Sequence, residues 1–225
     1  MVKVTWHGHA TVSLEADGYT LLIDPWFDGN PAAVSDGTQL KPDFIIVTHG
    51  HSDHVADVAK IARHSGARLI SSPEICGWFA GQGVADSDQM NIGGWTEFPF
   101  GRVRFTPAWH SSSLPDGSYG GMPMGVVIEL AGRRVYHAGD TALFSDMKLI
   151  GAEGLDVAFL PIGSNFTMDP AQAVEAAVLL QPGTVVPIHY NTFPPIRQDA
   201  AAFSSLLAEK NIGCRVLAAG EAFGL

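Results

Sequence analysis

A chain of 225 residues is long enough to bury a full core. With 46% apolar and 16% charged residues it reads as one loop-rich globular domain over 1–225, not as a disordered tract. The formal charge of −10, from 13 basic and 23 acidic residues, argues against nucleic acid as a partner. There is no run of about eighteen apolar residues and no signal-like apolar opening, and Cys76 and Cys214 stand far apart. The expectation is a soluble cytoplasmic protein with reduced thiols and no membrane partner.

In chain order, alternation predicts strands over 2–7, 11–16 and 19–24, with Asp17-Gly18 as a tight turn between the last two. A loop rich in Gly, Pro and Asp runs to residue 42, and a buried apolar strand follows over 43–48. Val55, Val58, Ala59 and Ala62 recur at helical spacing between Ser52 and His64, and Gly66 is placed to end that helix. Leu69-Ile70 reads as a strand and 73–80 as a short helix. Strands are expected near 95–98, 102–108, 125–130 and 133–138, then a helix near 144–151 and a strand over 156–161. Asp169 and Pro170 announce a helix over 170–181. A strand over 184–189, a helix over 198–210 and a strand over 215–218 complete the series. Several strand pairs are too close in sequence for a crossover helix, so the expected fold is α/β with mixed sheets.

The stretch T-H-G-H-S-D-H-V, residues 48–55, carries the chemistry. After a buried strand, His49 and His51 alternate and can point the same way. Asp53 and His54 then fall in the first turn of the next helix, about 100° apart. Imidazole nitrogen and carboxylate oxygen suit Zn²⁺, Mn²⁺ or Fe²⁺. One loop thus offers two pairs of ligands, and a chance H-x-H-x-D-H arises on the order of once in a thousand such chains. Two ions need further donors, and His110, His137, Asp140 and His189 are the candidates at strand exits, with His7, His9 and His64 as spare histidines. His137, two residues before Gly139-Asp140, reads as orienting a ligand or packing beneath it. Asp24 reads either as an acceptor for the N–H of a ligating imidazole or as a turn carboxylate. Asn165 and Thr167, after strand 156–161, face the rim expected for substrate contact. Tyr190 is a leaving-group donor or a packed aromatic. Ser111, Ser112 and Ser113 read as loop formers or hydrogen-bonders, because no free base remains to activate them.

The ordered set T-H-x-H-x-D-H, a lone His, G-D-T and a lone His resembles the metallo-β-lactamase superfamily. WHGHATV at the start, LPIGSNFTMDP at 160–170 and IHYNTFPP at 188–195 are similar, more narrowly, to the UPF0173 metal-dependent hydrolases, relatives of the ascorbate-6-phosphate lactonases. The resemblance implies a four-layer αββα sandwich, two mixed sheets with helices on the outer faces, and a binuclear site. Carried over, it implies His49, His51 and His110 on one ion, Asp53, His54 and His189 on the other, and Asp140 bridging. It also brings His9 close to the metals, as a pocket residue or proton donor or else as a locally bonded strand-end histidine. The implied reaction is attack by a metal-bridging hydroxide, aimed by Asp53, on a small ester, lactone or phosphodiester. Two divalent ions are implied, zinc first and manganese or iron as alternatives. Apolar pocket walls are expected from Trp26, Phe27, Trp109, Tyr119, Met122 and Met124. Three alternatives stay open: a phosphodiesterase or nuclease acting on nucleic acid, a diiron redox site, and a metal-binding protein without catalysis. Homo-oligomerisation stays open as well.

Overall fold

The opening meander forms as its alternation requires. In this computed structural model, which describes residues 1–225, β1 (Lys3–Gly8), β2 (Thr11–Ala16) and β3 (Tyr19–Ile23) pair antiparallel. Asp17 and Gly18 both take positive φ, 52° and 84°, which suits a turn that follows the twist of its strands. From β3 the sheet changes sense. β4 (Phe44–Ile46), β5 (Arg68–Ser71) and β6 (Ser87–Gln89) add in parallel. The C-terminal strand β14 (Ala222–Gly224) closes the other edge on β1, pairing Val4 with Phe223. This sheet, of order β14-β1-β2-β3-β4-β5-β6, belongs to a compact unit of Met1–Gly93, Ser111–Pro123 and Ala218–Leu225. Its helices are α1 (Ser52–Val55), α2 (Val58–Ser65) and α3 (Pro73–Ala80).

The single helix expected over 52–64 is two. Asp57 N–H donates to Pro25 C=O instead of continuing the helical ladder, and its carboxylate accepts from Phe27 and Asp28 N–H. The chain is therefore tied sideways at the point where the periodicity runs on. Beyond the break, Val58, Ile61 and Ala62 face a core with Leu22, Ile45, Phe79 and Leu114, and Gly66 at φ 78° ends α2.

The second unit, Gly94–His110 with Met124–Leu217, repeats the plan. β7 (Thr96–Phe98), β8 (Gly101–Pro107), β9 (Met124–Leu130) and β10 (Arg133–His137) pair antiparallel. β11 (Val157–Pro161), β12 (Thr184–Ile188) and β13 (Gly213–Cys214) then add in parallel. Three helices supply the crossovers: α4 (Met147–Gly151), α5 (Pro170–Leu180) and α6 (Ala200–Glu209). Asp169 caps α5 through Gln172 N–H, with Gln172 reaching back in a capping box. The strand expected over 215–218 is absent. Arg215 N–H still bonds Val185 C=O, but the backbone then leaves the edge, and pairing ends at Cys214.

Strand direction decides what each sheet edge carries. β1 and β3 are both antiparallel to β2, so they run the same way, and β4 runs with them. Residues after Gly8, Ile23 and Ile46 thus leave along one edge of the first sheet. By the same logic β8, β10, β11 and β12 run together, and their exits share one edge of the second. Ligand sites on α/β sheets collect at such carboxyl ends.

Candidate metal centre

On the first edge, the backbone is bent where it matters. His9 and Asp24 lie in the left-handed region, with φ 54° and 46°, each just past a strand end. That conformation costs of order 1–3 kcal/mol for a residue with a side chain, least for Asn, Asp and His. It turns both side chains back over the edge.

Asp24, fully buried, organises the stretch 48–54. Its Oδ1 accepts Thr48 N–H at 2.8 Å, and its Oδ2 accepts the Thr48 hydroxyl at 2.6 Å. The same Oδ2 lies 2.8 Å from His54 Nδ1, which must carry its proton to bond a carboxylate. Thr48 spends its hydrogen on Asp24, so its oxygen accepts from His49 Nδ1, 3.0 Å away. The network therefore fixes two tautomers at once. His49 and His54 both keep an unprotonated Nε2, the form an imidazole needs to bind a metal. His49 and His54 are fully buried and their rings stand 4.1 Å apart.

His51 completes the H-x-H pair. Its Nδ1 lies 3.1 Å from His49 Nε2, and its Nε2 is 3.3 Å from Ser111 Oγ. Two nitrogens on one tetrahedral zinc ion, with bonds of about 2.1 Å, stand about 3.4 Å apart. The His49–His51 spacing fits that edge. Asp53 Oδ2 is 3.1 Å from His9 Nε2. His9 is fully buried and meets Trp26 edge-on at 4.9 Å. His7 lies apart from these groups. It is buried, bonded to Ser13 Oγ at 2.8 Å, and burial lowers its pKa to about 4. His64, in the last turn of α2, is exposed.

On the second edge, His110 follows β8, Asp140 follows β10 and His189 follows β12. One oxygen, Asp140 Oδ2, lies 3.0 Å from His189 Nε2 and 3.5 Å from His110 Nε2. A carboxylate oxygen set between two imidazoles is the arrangement a bridging ligand needs. His189 at φ 54° and Gly139 at φ 60° bend the chain at these exits. His137, fully buried, accepts Gly139 N–H on Nδ1 at 3.1 Å and stacks on Phe159, so it holds the turn that carries Asp140. Asn165 and Phe166 are exposed and Thr167 half-buried in the loop after β11. Tyr190 is buried, and burial, with Cys214 nearby, pushes its phenol to higher pKa.

Of the expected pocket walls, Phe27 and Met124 are core residues, and Trp26 packs against His9. Trp109, Tyr119 and Met122 are exposed by 68%, 65% and 58%. One contributor escapes the sequence reading. Thr48 looks like the last residue of a strand, yet it relays Asp24 to His49. Ser112 acts as the hydrogen-bonding loop residue expected: its Oγ accepts Gly50 N–H at 3.1 Å and donates to Gly120 C=O at 2.9 Å, which pins the H-G-H turn.

Comparison with known proteins gives the following similarities. A family model described as a beta-lactamase superfamily domain matches residues 19–190. A UPF0173 metal-dependent hydrolase of Thermus thermophilus is 52% identical over 226 residues, covering all of both chains. One from an Exiguobacterium is 49% identical over 215 residues, 94% of this chain and 96% of the other. Among solved structures, Igni18, a metallo hydrolase of the archaeon Ignicoccus hospitalis, superposes with a TM-score of 0.90 at 39% identity, covering 100% of this chain and 99% of that one.

Proposed function

The chain belongs to the metallo-β-lactamase superfamily, with its α/β sandwich fold, and within it to the UPF0173 metal-dependent hydrolases; on that footing we propose that it is a binuclear hydrolase of small esters, lactones or phosphodiesters. His49, His51 and His110 would hold one divalent ion, Asp53, His54 and His189 a second, with Asp140 between them. Zinc suits this nitrogen-rich set best, and manganese or iron also accept it. When bound, such a pair lowers the pKa of water and draws charge from a carbonyl or phosphorus.

The chain's own residues do the rest. Asp24 presents His54 directly and His49 through Thr48, each with Nε2 unprotonated. Asp53 accepts a proton from the attacking water, and His9, 3.1 Å from it, carries that proton to the leaving oxygen. Burial of His9, His54, Asp140 and His189 lowers the local dielectric and strengthens each of these interactions. The placing of Asp140 Oδ2 between two imidazoles is the observation that carries the binuclear reading. A panel of lactones, phosphodiesters and simple esters, assayed with defined metals, tests it. Activity should vanish with chelation and with Asp140→Ala, and hydrolysis that survives both would refute the mechanism.

A further inference from the structure

Trp109 precedes His110 and is 68% exposed, an unusual state for an indole whose backbone is firmly held. Its N–H donates to Thr141 Oγ1 at 2.9 Å, and its C=O accepts from Ala142 N–H at 3.0 Å. Thr141, fully buried, also accepts Met168 N–H on its C=O at 3.1 Å. Three loops are thus tied at one residue, and the indole projects from a fixed base. With Ala142, Leu143, Phe144, Ser145 and Asp146 it lines a cavity of about 370 Å³ within the second unit. Leu143 and Phe144 are half-buried, so apolar surface lines the cavity, while Ser145 donates to Asp146 Oδ1 at 3.0 Å on its polar side.

We propose that this cavity is the specificity pocket of the hydrolase and takes a neutral, apolar group of the substrate, a single ring or a short branched chain. The inference rests on the metal centre proposed above, because its walls adjoin two donors: Trp109 precedes His110, and Ala142 lies two residues past Asp140. Size sets the upper bound. A closed apolar cavity of about 150 Å³ holds a benzene ring, so this larger, open one holds a ring with a short linker. Charge sets the polarity. Asp146 on the wall, in a chain of net charge −10, opposes an anionic substituent.

Hydroxamates separate the two claims, since the head ligates metal and the tail reports on the pocket. Calorimetric titration of the metal-loaded protein should show phenylacetohydroxamate binding at least about tenfold tighter than acetohydroxamate. The monohydroxamate of succinate, with an anionic tail, should show no such gain. In Leu143→Asp, and separately in Trp109→Ala, the phenyl-to-methyl ratio should fall below about threefold. A wild-type ratio near one, a ratio kept in both variants, or a tighter anionic tail would overturn the pocket while leaving the metal centre standing. Acetohydroxamate that fails to bind would refute the metal centre, and neutral benzyl alcohol titrated alone would then decide the pocket, its failure to bind overturning it.

Discussion

Asp24→Asn probes the device that sets the ligand tautomers. The position has φ 46°, which Asn tolerates, and the side chains are nearly isosteric, so backbone strain and cavity formation stay small. The hydrogen bonds cannot all survive. If the amide oxygen replaces Oδ2, it still accepts from Thr48 Oγ1 and His54 Nδ1, but the amide nitrogen faces Thr48 N–H, donor against donor. If the amide is turned over, it donates to His54 Nδ1 and pushes the ring proton onto Nε2, where a metal should bind. Either way one buried donor is left unmet, at about 1–3 kcal/mol, and the bond to His54 loses its charge assistance, about another 1 kcal/mol. The sum, about 3 kcal/mol, should lower the Tm of the metal-free protein by about 6–12 °C for a chain of this size. Losing the orienting carboxylate should weaken metal binding about 10- to 100-fold. Thermal unfolding with chelator present, and zinc titration against a competing indicator, measure the two effects separately. An Asn variant matching the wild type in both would refute the role given to Asp24.

Other expectations follow from the same geometry. Ser112→Ala strips Gly50 N–H and Gly120 C=O of a buried partner, so a loss of about 2 kcal/mol is expected, with Ser112→Thr recovering most of it; equal denaturant midpoints for all three proteins would remove the assigned pin. His9→Asn keeps a residue suited to φ 54° and should lower kcat by about 10² or more while leaving metal content intact; unchanged kcat would exclude His9 from proton transfer. Burial holds His7 at about 4, below its usual 6.5, so the folded state resists protonation that the unfolded state accepts. The stability this gives is complete above pH 6.5 and is lost as pH falls towards 4, by about 3 kcal/mol in all. His7→Gln should flatten that part of the Tm profile, and identical slopes would show that other groups cause the acid loss.

Local signals made much of this structure legible. Alternation placed the meander, Gly66 marked the end of α2, and Asp169-Pro170 marked the start of α5, because caps and periodicity are written within a few residues. What escaped depends on distant partners. β6 is Ser-Asp-Gln, polar throughout, and is a strand because β5 offers it an edge. β14 exists through its pairing with β1, more than 200 residues away in sequence. The break at Asp57 comes from a bond to Pro25, which no helical periodicity encodes. At the site, the donor types were readable in T-H-G-H-S-D-H, and Asp24 as an acceptor for a ligating imidazole, whereas its choice of His54 and its relay through Thr48 to His49 come from folded contacts.

The central claim is that seven side chains serve two ions. Metal-free protein titrated with zinc, with bound metal counted by elemental analysis after desalting, tests it most directly. Two equivalents per chain are expected, falling to one or fewer in Asp140→Ala, with hydrolysis appearing as the second is bound. One equivalent or less in the wild type, or full activity at one, would contradict the account.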